Sequence, residues 1–158
     1  MKDKTINFKD TSKIPLKRHE IKFIINSREE SDFLRKNKLK TLFPSRIVES
    51  TYFDTKDLKF FNLSEEGITP RKKIRLRGYN GGKNDNLEIK ITNNYHREKV
   101  IIKEFIYSNY NLHANLKKNN INEIDEKKLG VKYLRNYYFI DNIGRITIDK
   151  NIEFLPPN

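Results

Sequence analysis

The segment RKKIRLRGY, which spans Arg71–Tyr79, decides the fold prediction for this chain. Basic and apolar side chains alternate along it, and a period of two residues is typical of a strand with one polar face and one buried face. Ile74 and Leu76 therefore lie on one face, and a row of basic side chains lies on the other: Arg71, Lys73, Arg75 and Arg77. Like charges in a row repel one another, so this row indicates a face that binds a multivalent anion.

Further strands are predicted on both sides of this segment, most of them from alternation and Ile47–Phe53 from its β-branched and aromatic residues. They are Arg18–Ile25, Ile47–Phe53, Leu87–Thr92, Arg97–Glu104, Val131–Ile140 and Arg145–Phe154. Within each strand, the period of two places certain side chains on one shared face. These groups are Arg18, Glu20 and Lys22; Glu88 and Lys90; Arg97 and Lys99; Tyr133, Arg135 and Tyr137; and Arg145 and Asp149. A solvated face of an ordinary antiparallel sheet explains any one of these strands. The whole set favours a closed sheet with its charged face turned inward.

Helices are expected to cover the apolar face of such a sheet. Ser27 and Glu30 form a capping-box pattern that predicts a helix over Arg28–Asn37. A short helix capped by Thr55 is expected over Thr55–Leu63, and a helix with a loop is expected within Asn109–Lys128. The predicted class is α+β, with an antiparallel β-barrel or tunnel and helices packed outside it.

Composition limits the class of protein and its partners. The chain has 158 residues, a length that predicts one domain. We expect this domain over residues 18–158, preceded by a flexible basic arm over residues 1–17. The formal charge of the chain is +12. The excess of positive charge suits nucleic acid, anionic lipid or phosphorylated small molecules. There is no Cys, which excludes disulfides and thiolate metal sites. We see no signal peptide or transmembrane segment, so we expect a cytoplasmic chain and leave a membrane partner open.

Three acids share the predicted basic faces: Glu20, Glu88 and Asp149. They could form internal salt bridges that orient the basic side chains. They could equally hold a hard divalent cation together with phosphate oxygens, as carboxylates do in phosphoryl transfer. The sequence leaves both interpretations open.

The ordered set of segments resembles the VTC domain, the polyphosphate-polymerase branch of the CYTH-like triphosphate tunnel metalloenzymes. The matching segments are Arg18–Phe23, Glu49–Thr55, Arg71–Tyr79, Leu87–Lys90, Tyr133–Arg135 and Arg145–Asp149. The resemblance implies a closed antiparallel tunnel that holds ATP, triphosphate or inorganic polyphosphate, with Mn²⁺ or Mg²⁺ as cofactor. It also implies that the γ-phosphate of ATP is transferred to a polyphosphate chain.

The resemblance assigns roles by position. The catalytic, phosphate-binding candidates are Lys22, Arg75, Arg77, Lys90, Lys99, Arg135 and Arg145. Further ligand-binding candidates on the same faces are Arg18, Arg71, Lys73 and Arg97. Glu20 and Glu88 are the metal candidates. The family continues beyond the position of Asn158 with a strand that supplies the metal-binding Glu, so we expect the tunnel of this chain to lack that C-terminal strand and to turn ATP over poorly.

Other functions remain open at this point. A triphosphatase of the same fold would use the same basic surface. A catalytically impaired phosphate or polyphosphate sensor would keep the binding residues without the metal site. An RNA-binding β-domain would use basic strands with stacking tyrosines, but the central strand does not interleave its arginines with aromatics, so no specific nucleic-acid partner is predicted.

Overall fold

The computed structural model describes residues 20–37, 39–82, 85–94, 96–124, 126–141 and 143–156. The chain divides into two compact units, Met1–Asn37 and Lys38–Asn158. Among the helices of the described residues, none has both the length and the apolar character that a bilayer-spanning helix requires.

The first unit contains helix α1, Ser27–Lys36. Its N-cap is Asn26, whose side chain accepts from the backbone N–H groups of Arg28 and Glu29, while the Glu29 carboxylate accepts from the Asn26 N–H. The capping box therefore lies one residue before the predicted pair of Ser27 and Glu30, because the Asn amide oxygen caps at least as well as a Ser hydroxyl.

The strand predicted over Arg18–Ile25 is wrong for the residues that the structure describes. Residues 20–26 form neither helix nor strand, and residues 18 and 19 lie outside the described part. Alternation records which side chains are polar. It does not show whether a neighbouring strand is present to form the backbone hydrogen bonds that a β-strand requires.

The second unit is built on one antiparallel sheet of six strands. Their bounds are β1 Lys40–Asp54, β2 Arg71–Tyr79, β3 Asp85–Thr92, β4 Arg97–Phe105, β5 Glu126–Ile140 and β6 Gly144–Leu155. The strand order is β4-β3-β2-β1-β5-β6, with β2 and β1 at the centre. The α+β class and the antiparallel pairing are confirmed. The described strands form an open sheet with β4 and β6 at its edges, rather than the closed tunnel that the resemblance implied.

The apolar face of the sheet carries the core. Ile74 and Leu76 of β2 lie beside Leu87 and Ile89 of β3, and all four side chains are buried. Helix α2, Lys59–Glu65, and helix α3, Asn109–Lys118, add their side chains to this cluster. The buried members from the helices and the segment after α3 are Phe60, Leu112, Leu116, Ile121 and Ile124. Helices thus cover the apolar face, as expected, but the ones shown to do so are α2 and α3.

The start of α2 is held by the end of β1. The buried carboxylate of Asp54 accepts from the backbone N–H groups of Thr55 at 2.7 Å, Phe60 at 2.9 Å and Phe61 at 2.9 Å. The N-cap position itself is Leu58, which has a left-handed backbone (φ 59°) and makes no side-chain capping bond. Thr55, the predicted cap, accepts from the Lys59 N–H through its hydroxyl, so it assists a helix that begins four residues later.

Candidate anion-binding site

The polar face of the sheet gathers basic side chains from all six strands. We call this surface the basic face. Register pairs Ser50 and Tyr52 of β1 with Arg77 and Arg75 of β2, and pairs Arg75 with Glu88 of β3. The remaining basic members, placed by the same registers, are Arg71, Lys73, Lys90, Arg97, Lys99, Arg46, Arg135 and Arg145. For Arg71, Lys73, Arg75 and Arg77 of β2, the registers agree with the alternation of the sequence, which carried no prediction for Arg46.

Glu88 is the only carboxylate among the described residues that bonds to Arg75 and Lys99. The Arg75 guanidinium donates to Glu88 Oε2 from Nε at 2.8 Å and from Nη2 at 2.5 Å. Lys99 Nζ donates to Glu88 Oε1 at 3.1 Å, and Arg77 Nη1 lies 3.9 Å from Oε2. Only 6% of the Glu88 side chain is exposed. One buried negative charge therefore faces three cations, and the cluster keeps a net positive charge.

Two hydroxyl groups hold Arg77. Its Nε donates to Ser50 Oγ at 3.2 Å, and its Nη2 donates to Tyr133 Oη at 3.3 Å. Tyr52 does the same for Arg75, accepting from Nη1 at 2.8 Å. Neutral hydroxyls orient a guanidinium without cancelling its charge, so Arg77 is fixed in place and remains attractive to an anion.

Arg135 of β5 forms a fork with Asp149 of β6. Its Nε and Nη2 donate to the two carboxylate oxygens at 2.6 and 2.7 Å. The Arg135 guanidinium also lies over the Tyr133 ring, 5.1 Å from its centroid. Because the Tyr133 hydroxyl contacts Arg77, this tyrosine connects the arginines of β2 and β5.

A row of lysines crosses three strands beside these arginines. Lys73 of β2 is paired with Lys90 of β3, which is paired with Lys99 of β4. Arg71 and Arg97 flank Thr92 two residues further along the same strands. Like charges on directly opposed positions destabilise a sheet. An anion bound to this row would offset the repulsion, so the row is a candidate site for one.

The environment changes the acidity of the central groups. Burial alone would raise the pKa of the Glu88 carboxyl, but hydrogen bonds and charge from Arg75, with help from Lys99 and Arg77, bring that pKa below its ordinary value. Burial raises the pKa of Tyr133, and the neighbouring arginines offset this only in part. Glu88 is therefore ionised and Tyr133 is neutral at neutral pH, as the contacts above require.

Three predicted residues are not brought to the basic face by any described contact. Glu20 and Lys22 belong to the other unit, where they lie 3.6 Å apart. Arg18 lies outside the described residues. Sequence reasoning did not assign a role to Ser50 and Tyr52, and it used Tyr133 only as a face marker, because a single hydroxyl in a strand carries no periodic signal.

The described residues do not fit a metal site. Within residues 20–37, 39–82, 85–94, 96–124, 126–141 and 143–156, no group of three or more His, Cys, Asp or Glu side chains could jointly hold a metal ion. Both oxygens of Glu88 already accept from cations. A carboxylate so engaged serves to position the arginines, which supports the salt-bridge interpretation of this acid. The Mn²⁺ or Mg²⁺ cofactor remains a prediction.

The arrangement can bind several phosphate groups at once. A guanidinium has five N–H donors, and the bonds above use three of those of Arg75 and two of those of Arg77. The remaining donors can reach phosphate oxygens, for which the planar fork is well suited. Nothing in this set of groups is a nucleophile activated by an adjacent base, so the chemistry it supports is electrostatic.

Comparison with known proteins identifies a family. A family model described as the VTC domain matches residues 17–157. The sequence has no significant match among curated proteins. Among solved structures, the chain is similar to the PH1819 protein from Pyrococcus Horikoshii OT3, at 16% sequence identity and a TM-score of 0.49, with 84% of this chain and 70% of that chain covered.

Proposed function

Because the chain belongs to the VTC domain family, we propose that its basic face binds ATP, triphosphate or inorganic polyphosphate and serves transfer of the γ-phosphate of ATP to a polyphosphate chain. A cytoplasmic location belongs to the same proposal, because ATP is present there. The observation that carries the proposal is the clustering of Arg75, Arg77 and Lys99 around the single carboxylate of Glu88. Such a cluster keeps unneutralised charge and oriented donors for a polyanion.

The arginines support a role in transfer as well as in binding. As charge develops on the transferred phosphoryl group, donors already fixed in place stabilise it without further reorganisation. Ser50, Tyr52 and Tyr133 supply that fixation for Arg75 and Arg77. We assign no step to a metal ion, since the donor set of the described residues does not fit one.

Binding without transfer is the second candidate function. The observation that favours it is the engagement of Glu88, whose two oxygens are held by Arg75 and Lys99. A surface of this kind would sense phosphate or polyphosphate rather than act on it.

Binding is tested by calorimetry with triphosphate and with AMP. Triphosphate should bind more tightly, because affinity depends on the number of phosphate oxygens contacted. Arg77→Gln should weaken triphosphate binding by about 1.5–3 kcal/mol, the range for hydrogen bonds to charged groups. Lys118→Gln removes an exposed charge on α3 and should leave the affinity unchanged. Equal affinity for AMP and triphosphate would contradict the proposal.

Transfer is tested by following ADP release and polyphosphate growth from ATP, with manganese and magnesium titrated separately. Activity that is lost in Arg77→Gln and retained in Lys118→Gln supports the polymerase. Tight triphosphate binding with no ADP release under any metal concentration supports the sensor instead. Release of phosphate without chain growth would identify a triphosphatase.

A further inference from the structure

An aromatic pair lies on the basic face beyond its arginines. Phe43 of β1 and Tyr137 of β5 are register partners, and their rings meet edge to face with centroids 5.8 Å apart. Irregular pairing on both sides of Phe43 interrupts the regular ladder there. Phe43 is 45% exposed, and Tyr137 is half-buried. Part of the Phe43 ring is thus open to solvent beside charged groups, where the wet face of an ordinary sheet carries polar side chains.

Arg46 lies over this pair. Its guanidinium carbon is 5.9 Å from the centroid of each ring. Unlike Arg75 and Arg135, Arg46 has no carboxylate partner within the described part of the chain, and it is exposed. It therefore keeps both its charge and all of its hydrogen-bond donors for a ligand.

The pair is continuous with the arginines. Arg46 stands directly opposite Arg135, and Tyr137 follows Arg135 by two residues on the same face of β5. Two residues of a strand span about 7 Å. A ligand whose phosphates contact Arg135 would bring its adjoining group onto Tyr137 and Phe43.

Aromatic rings with a free guanidinium are the side chains that bind nucleobases by stacking. A base presents a π-face to an aromatic ring or to the guanidinium plane, and hydrogen-bond acceptors at its edge to the guanidinium donors. Inorganic triphosphate has no group that would use such a surface.

We propose that Phe43, Arg46 and Tyr137 form a subsite for the nucleobase of a nucleoside triphosphate whose phosphates lie on the basic face. This inference rests on the proposed function, since it takes the phosphates to lie on the neighbouring arginines. It adds a specificity: the site distinguishes a nucleotide from an inorganic chain of equal phosphate number.

The experiment compares ATP with inorganic triphosphate by calorimetry in wild type and in Phe43→Leu and Tyr137→Leu. Each variant keeps an apolar side chain but loses the ring. We expect ATP affinity to fall by about 5- to 100-fold, the range for loss of one stacking partner. Triphosphate affinity should remain unchanged, which also shows that the variants are folded. Tyr110→Leu removes an 82%-exposed ring on α3 and should alter neither affinity.

The outcomes separate this inference from the proposed function. If wild type binds triphosphate and ATP with equal affinity and the ring variants change neither, the nucleobase subsite is overturned while the basic face stands. An equal loss of both affinities in the ring variants, or in Arg46→Gln, would assign these residues to phosphate binding and overturn the subsite. If wild type binds neither ligand, the proposed function fails and takes the subsite with it.

Discussion

The carboxylate of Glu88 lies within hydrogen-bonding distance of Arg75 and Lys99 and 3.9 Å from Arg77. Desolvating a carboxylate is unfavourable, and these cations offset that cost. The reverse also holds, because Arg75 is largely buried and depends on Glu88 for its countercharge. The sequence motif Leu87–Lys90 therefore encodes an anchor for the arginines of β2.

Glu88→Gln should lower the free energy of unfolding by about 3–5 kcal/mol, because it leaves a buried guanidinium without its countercharge. Urea unfolding measures the change, and Glu98→Gln, at an exposed carboxylate, is the control. Triphosphate should restore more stability to Glu88→Gln than to wild type, since a bound anion replaces the missing charge. Unaltered stability in Glu88→Gln would show that the cluster does not depend on this carboxylate.

The same carboxylate determines part of the acid sensitivity. Its folded pKa lies below the ordinary value of 4.5, so its contribution is fully present above 4.5 and is lost as the pH falls through the folded pKa. Wild type should therefore lose more stability than Glu88→Gln when unfolding is measured from about pH 6 down to about pH 3. Parallel curves for the two proteins would be inconsistent with the lowered pKa.

At the scale of elements, the join between β1 and α2 depends on Asp54. Its carboxylate accepts hydrogen bonds from the backbone N–H groups of Phe60 and Phe61 in the first turn of α2, and from that of its neighbour Thr55. The N-cap residue of this helix, Leu58, provides no side-chain bond. This explains the Tyr52-Phe53-Asp54-Thr55 segment in physical terms: Tyr52 orients Arg75, and Asp54 fixes the helix that covers the core.

Asp54→Ala should destabilise the protein by about 1–3 kcal/mol, because buried N–H groups at the start of α2 lose their acceptor. Thermal unfolding measures the loss, and Glu65→Ala, at an exposed position in the last turn of the same helix, is the control. Triphosphate affinity should be unchanged, since Asp54 contacts none of the arginines. A variant as stable as wild type would mean that water replaces the carboxylate without cost.

Alternation alone did not decide which strand predictions succeeded, because Arg18–Ile25 also alternates and residues 20–25 form no strand. The bounds of β2 are those that its alternation predicted. The strand order could not be predicted, because it depends on contacts between residues far apart in the chain. At the end of β4 the backbone of Glu104 is left-handed (φ 51°) beside an irregularity in the pairing with β3, and the following Phe105 is buried in the core. A strict period of two residues does not predict such a change in backbone conformation and pairing.

At the scale of the molecule, the chain carries a net charge of +12, and ten of its basic side chains lie on the basic face. Over β2 and β3, the opposite face is apolar and is covered by α2 and α3. A face of this kind repels itself in the absence of an anion.

Triphosphate affinity should therefore fall steeply as salt is raised, because salt screens the exposed lysines and arginines over about 10 Å at 0.1 M. Calorimetry at low and high sodium chloride measures the slope. Lys73→Gln, at an exposed position, should reduce that slope, and Lys118→Gln on the covered side should not. Affinity independent of salt would argue against charge as the main source of binding.

The lysine row of Lys73, Lys90 and Lys99 has a further consequence for a repeating ligand. The strands that carry it are about 4.8 Å apart, so the row offers similar positive positions at regular intervals. A polyphosphate chain can occupy such a lattice in several shifted alignments of equal energy. Each doubling of equivalent alignments contributes about 0.4 kcal/mol through statistical degeneracy alone. Chain length would then increase affinity even after every cation is occupied, and the chain could shift by one phosphate without ever leaving the surface.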